Sequence, residues 1–191
     1  MPGRRAIFLD RDGVLVVPEM RDGRSFAPRH LEDFRLYPEA KTALDRLKEA
    51  GYLLVVVTNQ PDVGKGLISR STLDQMHDTI RRVLPVDRIE VCIHTQSDKC
   101  SCRKPKPGML LDAARECQID LETSFMVGDR ASDVEAGLAA GCETIFIDLD
   151  YVSELKPKTA HHTARSITEA ADIILGANQR TGGRPCRASK I

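Results

Sequence analysis

The chain has 191 residues, 41% of them apolar, with 28 basic against 28 acidic side chains and no tryptophan. That length suits one domain with a full core, and the even charge balance excludes a general polyanion binder, whose affinity comes from neutralising phosphates. With only 4% aromatic residues there is little material for a base- or sugar-stacking platform. The longest apolar run, Tyr52 to Val57, is far short of a membrane span, and Ala6 to Leu9 is too short for a signal-peptide core. A cytoplasmic monomer is expected, with neither nucleic acid nor membrane as partner. In a reducing compartment the six cysteines read as metal ligands or buried thiols.

Arg5 to Leu9 predicts a first strand ending at Asp10. Val14 to Tyr37 has no clear period and reads as a loop or small flap over one edge of a sheet. Pro38 to Ala50 repeats apolar residues at helical spacing and stops at Gly51. Tyr52 to Val57 is a continuous apolar run rich in valine, which suits a strand covered on both faces. Ser69 to Leu84 is helical, Arg88 to His94 extended, and Pro107 to Ile119 helical again. Ser124 to Val127 and Glu143 to Ile147 are strands flanking a helix from Ser132 to Ala140, and Ser166 to Ile174 closes the pattern. This alternation predicts an α/β fold with a doubly wound parallel sheet. The expected organisation is one domain over residues 1–176, with a disordered tail over residues 177–191.

Ligands of an open parallel sheet gather outside the carboxyl ends of its strands. There the sequence places Asp10-Arg11-Asp12-Gly13, Thr58-Asn59-Gln60, Lys104 and Gly128-Asp129, with Asp133 one turn later. One strand-end aspartate is ordinarily a turn residue or a helix cap. Four signals in order, each at the end of its own strand, are a different matter. Converging carboxylates repel one another unless a hard cation such as Mg2+ relieves them. A phosphate could then meet the metal, Lys104 and the Thr58 hydroxyl. Two carboxylates two residues apart allow one to attack phosphorus while the other moves the proton.

"FLDRDGVL", "VVVTNQ", "CRKPKPG" and "MVGDRASDVEAG" resemble the four motifs of the haloacid dehalogenase superfamily of phosphohydrolases. With the cysteine arm they resemble its branch of D-glycero-D-manno-heptose 1,7-bisphosphate and histidinol-phosphate phosphatases. The resemblance covers about Ala6 to Asp148. It implies a Rossmann-like fold and an aspartyl-phosphate mechanism. Asp10 would be the nucleophile and Asp12 the acid and base. Asp10, the Asp12 main-chain carbonyl and Asp129 would hold Mg2+, backed by Asp133. Thr58 and Lys104 would bind the transferring phosphoryl group, and Asn59, Arg103 and Arg130 would meet the substrate. The gaps between motifs leave no room for a large cap domain. "RKPKPGM" favours a heptose bisphosphate, with Arg103, Arg130, Lys106 and Lys65 offering charge to its second phosphate. The short five-residue spacer of the arm favours histidinol phosphate.

Cys92-x-His94 and Cys100-x-Cys102 supply a complete Cys3His set for Zn2+, with no position left open for water. One-residue spacing suits extended chain, where alternate side chains share a face. A filled shell is a brace, and it would hold Arg103 and Lys104 for the reaction. Gly64-Lys65-Gly66 lacks the spacing of a phosphate-binding loop. His77 reads as structural, His161 and His162 as solvent-facing loop residues, and Cys117 and Cys142 as core thiols. A phospho-receiver domain would not need Asp12, and a zinc-stabilised interaction module would need none of the strand-end set.

Overall fold

The computed structural model describes residues 3–181. The strands are β1 (Ala6–Leu9), β2 (Glu19–Arg21), β3 (Arg24–Phe26), β4 (Leu53–Asn59), β5 (Arg88–Cys92), β6 (Phe125–Gly128), β7 (Glu143–Ile147) and β8 (His162–Ala164). The helices are α1 (Ala40–Glu49), α2 (Pro61–Gly64), α3 (Arg70–Val83), α4 (Gly108–Cys117), α5 (Ala131–Ala140) and α6 (Ile167–Thr181). Six strands form one sheet in the order β5-β4-β1-β6-β7-β8, and every pairing is parallel. This is the doubly wound α/β architecture that the alternation of elements predicts.

The pleat divides the apolar residues of each strand between two cores. Ile7 and Leu9 of β1, with Leu54 and Val56 of β4, face a cluster that includes Leu44 and Leu47 of α1 and Ala171 and Ile174 of α6. Ala6 and Phe8, with Val55 and Val57, face the other side, against Met109, Leu110 and Ala113 of α4 and Ala136 of α5. Burial on both faces explains why β4 reads as an unbroken apolar run.

Several elements escaped the sequence pattern. The flap between Val14 and Tyr37 carries the antiparallel hairpin β2–β3. It is the only separate sheet among the described residues, consistent with the absence of a large cap. α2 is a single turn begun by Pro61. β8 adds a sixth strand where only a polar loop was expected, and α6 continues to Thr181. The rest of the tail, residues 182–191, lies outside the described residues. His161 is exposed as expected, but its Nδ1 accepts the Thr144 N–H at 3.0 Å. His162 is not in a solvent-facing loop. It is half-buried in β8, with Nε2 2.6 Å from Glu143 Oε1. Neither contact has a local sequence signal, because both span the register between β7 and an edge strand. His77 and Cys142 are buried as expected, and Cys117 packs partly buried against the second core.

Candidate active site

Parallel pairing of β1 with β4 and β6 brings three strand ends to one rim. Asp10 leaves β1 with its N–H donated to Val127 O at 2.9 Å. The chain then reverses through Gly13 at φ +88°, and the N–H groups of Leu15 and Val16 both donate to Arg11 O at 2.9 Å. A side chain on Gly13 would enter the Asp129 carboxylate, so this glycine allows the first and fourth motifs to touch.

Asp10, Asp129 and Asp133 are all buried, and one carboxylate oxygen from each lies within 4.8 Å of the others. Opposite them stands Lys104, 3% exposed, with Nζ 2.8 Å from Asp10 Oδ1, 2.7 Å from Asp133 Oδ1 and 2.7 Å from Val57 O. Burial alone would lower the lysine's pKa, but the two carboxylates outweigh it and hold the ammonium above its ordinary value. One ammonium cannot balance three carboxylates. Burial, then the charge of Asp10, pushes Asp133 up to about 6. Burial, then Asp10 and Asp133, drives Asp129 well above the carboxylate range. Both oxygens of Asp129 are buried without a hydrogen-bond partner, and the nearby Tyr151 hydroxyl does not reach bonding geometry. A buried, unsatisfied acceptor pair beside two further carboxylates is the donor chemistry of a hard divalent cation.

Asp133 sits in the first turn of α5, where its Oδ2 accepts the Arg130 N–H at 3.0 Å. The sequence placed it behind the metal site; the structure puts it in the same cluster as Asp10 and Asp129. Asp12 turns the other way. Its Oδ2 accepts Gln60 Nε2 at 2.8 Å, and the same nitrogen donates to Thr58 Oγ1 at 2.8 Å. Gln60 therefore ties the expected proton carrier to the expected phosphate ligand. The sequence gave no reason to single it out beyond its place after β4.

Asn59, expected to meet the substrate, has both ends of its amide engaged by Lys104: Nδ2 donates to Lys104 O, and Oδ1 accepts Lys104 N–H, each at 3.1 Å. Asn59 thus holds the lysine's main chain. Arg103, Arg130, Lys65 and Arg29 line the mouth of a cleft of about 250 Å3 that has Asp10 and Asp12 among its walls. Arg130 Nη2 donates to Ser25 O at 2.6 Å, and Arg29 Nε to Asp62 Oδ2 at 2.7 Å, so the hairpin flap is pinned on two sides. Lys106 does not join them. Its ammonium donates to Cys100 O at 2.6 Å and Lys99 O at 3.2 Å, inside the cysteine arm.

That arm gathers Cys92, His94, Cys100 and Cys102 into a cluster able to hold a metal ion. Cys92 Sγ lies 3.7 Å from Cys100 Sγ and 3.5 Å from His94 Nδ1, which is 3.3 Å from Cys102 Sγ. The arm packs tightly on its surroundings: a Cβ on Gly108 would overlap Ser101 O, and one on Gly64 would overlap Ile93 O.

Residues 21–141 match the haloacid dehalogenase-like hydrolases. The chain belongs to that family. The D-glycero-beta-D-manno-heptose-1,7-bisphosphate 7-phosphatase of Pasteurella multocida is 36% identical over 91% of this chain and 98% of its own. Among solved structures, the D,D-heptose 1,7-bisphosphate phosphatase of B. bronchiseptica, complexed with magnesium and phosphate, superposes with a TM-score of 0.78 at 29% identity, covering 91% of this chain and 99% of that one. A HAD-like phosphatase from Mesorhizobium loti gives 0.74 at 29% identity, covering 98% of this chain and 91% of that one. The expectation of a phosphoric monoester hydrolase is borne out by the family and by these phosphatase relatives. No helix among the described residues is long and apolar enough to cross a membrane.

Proposed function

We propose that the chain is a Mg2+-dependent phosphomonoesterase that removes the 7-phosphate of D-glycero-D-manno-heptose 1,7-bisphosphate, acting as a cytoplasmic monomer. The observation that carries this reading is the buried carboxylate cluster facing Lys104, which meets a cleft with a cationic mouth through Asp10. Asp10, the main-chain carbonyl of Asp12 and Asp129 would hold Mg2+, with Asp133 beside them, and the ion would offset the charge of phosphate and carboxylates. Thr58 Oγ1 and Lys104 Nζ bind the phosphoryl oxygens. Lys104 fixes Asp10 Oδ1. The Asp10 carboxylate then bonds to phosphorus while the ester P–O bond breaks, and Asp12 gives its proton to the departing oxygen. In the second half Asp12 takes a proton from water as that water attacks phosphorus, which releases inorganic phosphate and restores Asp10.

Cys92, His94, Cys100 and Cys102 would hold a structural Zn2+. Tetrahedral zinc with ordinary bond lengths places neighbouring sulfurs about 3.8 Å apart, and sulfur and nitrogen about 3.5 Å apart. The separations of 3.3 to 3.7 Å fit that shell. The arm then fixes Arg103 and Lys104 ahead of the reaction, and positioning of this kind supplies much of phosphoryl-transfer catalysis.

The substrate follows from the charge at the mouth. Histidinol phosphate would bring a cationic amine. Beyond the catalytic pair, the acidic residue in the cleft wall is Asp62, and Arg29 and Lys65 already engage it. A second phosphate suits the surplus of arginine and lysine better. The test compares kcat/KM on heptose 1,7-bisphosphate and histidinol phosphate, with Asp10→Asn as the blank. A clear preference for the bisphosphate is expected; equally feeble turnover of both refutes the substrate.

A further inference from the structure

Arg11 stands between the two aspartates of the first motif, and the reaction as written gives it nothing to do. It is nonetheless fully buried, 0% exposed. Its guanidinium forks onto Asp12, with Nε 3.1 Å from each carboxylate oxygen and Nη2 2.9 Å from Oδ1. The ring of Phe34 lies 5.5 Å beneath it. His77 is near enough to feel the arginine's charge: burial and then Arg11 push that imidazole down to about 4, so it is neutral. Arg11 Nη1 and His77 Nε2 are both buried without a partner. Among the described residues, the ion pair recorded for Arg11 is with Asp12.

A guanidinium removed from water is costly unless a carboxylate meets it in good geometry. This one is sealed from solvent and, among the described residues, pairs with Asp12. Its planar fork therefore dictates the plane of the Asp12 carboxylate, and Gln60 fixes the remaining direction through Oδ2. We infer that Arg11 is a positioning residue that aims the Asp12 carboxyl at the leaving oxygen of the ester. The inference rests on the phosphatase reading and deepens it: acid catalysis here depends on a residue that never touches the substrate.

Aim at the leaving oxygen matters most when the leaving group is poor. An alkoxide needs the proton as it departs, whereas p-nitrophenolate leaves well without one. The experiment measures kcat/KM, which reports steps through alcohol release, on sn-glycerol 3-phosphate and p-nitrophenyl phosphate. The proteins are wild type, Asp10→Asn, Asp12→Asn, Arg11→Met and Arg11→Lys. Asp12→Asn sets the scale, with a loss of about 100-fold or more on the alkyl ester. Arg11→Met is expected to lose roughly tenfold or more on the alkyl ester and about threefold or less on the aryl ester. Arg11→Lys keeps the buried charge without the fork, so it reads the same split should the methionine variant fail to fold. Equal losses on both esters, or none, in the folded Arg11 variants overturn the inference alone. Undiminished turnover by Asp10→Asn overturns the phosphatase reading and the inference with it.

Discussion

Gly13→Ala separates the geometry of the site from the stability of the fold. Gly13 adopts φ +88°, where a residue with a Cβ costs about 1–2 kcal/mol. For a chain of this length that lowers Tm by roughly 2–8 °C. The added Cβ would also overlap Asp129 Oδ2 and Cγ, and would stand 3.1 Å from Asp129 Cβ. The carboxylate must retreat by on the order of 1 Å to restore ordinary contact. A misplacement of that size costs about 100-fold in rate. Gly51→Ala supplies the control, because Gly51 sits at φ +86° with nothing within 4 Å of the added Cβ. Both variants share the backbone cost, and in the absence of metal Gly13→Ala should melt somewhat lower because of the added overlap with buried Asp129. Only Gly13→Ala should lose phosphatase turnover and need more Mg2+ to reach half of its maximum. The assay is a Mg2+ titration of kcat beside thermal unfolding of each protein. Wild-type turnover and Mg2+ dependence in Gly13→Ala would refute the claim that Gly13 and Asp129 are fitted to one another.

Lys104→Met leaves Asp10 and Asp133 without their buried cation, so the metal-free protein should lose roughly 3–5 kcal/mol, read as a fall in Tm. Added Mg2+ should raise the variant's Tm more than the wild type's, and equal shifts would show that the lysine does not balance the cluster. Cys102→Ala should reduce bound zinc and lower kcat/KM by roughly 10- to 100-fold while the far-ultraviolet circular dichroism is retained; a zinc-free variant with full activity removes the brace from the mechanism. His77 is held neutral in the fold, near 4 against 6.5 in the unfolded chain, so the unfolded state binds the extra proton between those values. Its contribution is fully present above pH 6.5 and is lost as pH falls toward 4, worth on the order of 3 kcal/mol across the window. His77→Gln should flatten the dependence of Tm on pH there, and an unchanged slope would assign the acid sensitivity to other groups.

The strand-end motifs were legible because each is local. A β-branched run, a turn glycine and an aspartate are contiguous, and the rule for parallel sheets places their ends together. Asp10, Lys104 and Asp129 meet for that reason. The cysteine arm was legible because its candidate ligands fall within eleven residues. What stayed hidden depends on contacts across long sequence separations or on side-chain direction. Asp12 and Gln60 are 48 positions apart, and the flap's Ser25 meets Arg130 across 105 and Glu154 across 129. No period or spacing announces such pairs. Lys106 was expected to face the substrate's second phosphate, and Arg11 had no expected role. The structure divides them: Lys106 caps carbonyls of the arm, and Arg11 is sunk beneath its own motif. β8 was missed because three residues at a sheet edge carry too little alternation to stand out from a polar loop.

The division of labour in the cleft follows from what holds each wall. The groups proposed to react stand at the ends of β1, β4 and β6, whose apolar residues fill both cores, so their separations are set by packing that resists displacement. The mouth is assembled from the flap, the turn at α2 and the cysteine arm. The flap is tied to that turn by Arg29–Asp62, and Arg130, beside β6, reaches both the flap's Ser25 and Glu154; these pairs are open in part to solvent. Such pairs contribute about 0–1 kcal/mol each, so an arriving phosphate can compete for the arginines without disturbing the strands. Lys104 is where the two regimes meet. Its ammonium is locked among buried carboxylates, while its main chain hangs from Asn59 and lies two residues beyond Cys102, the last metal-ligand candidate of the arm. On the proposed mechanism a change in the arm would therefore reach the phosphoryl group through Lys104, whereas a change in the flap would reach only the substrate's outer end.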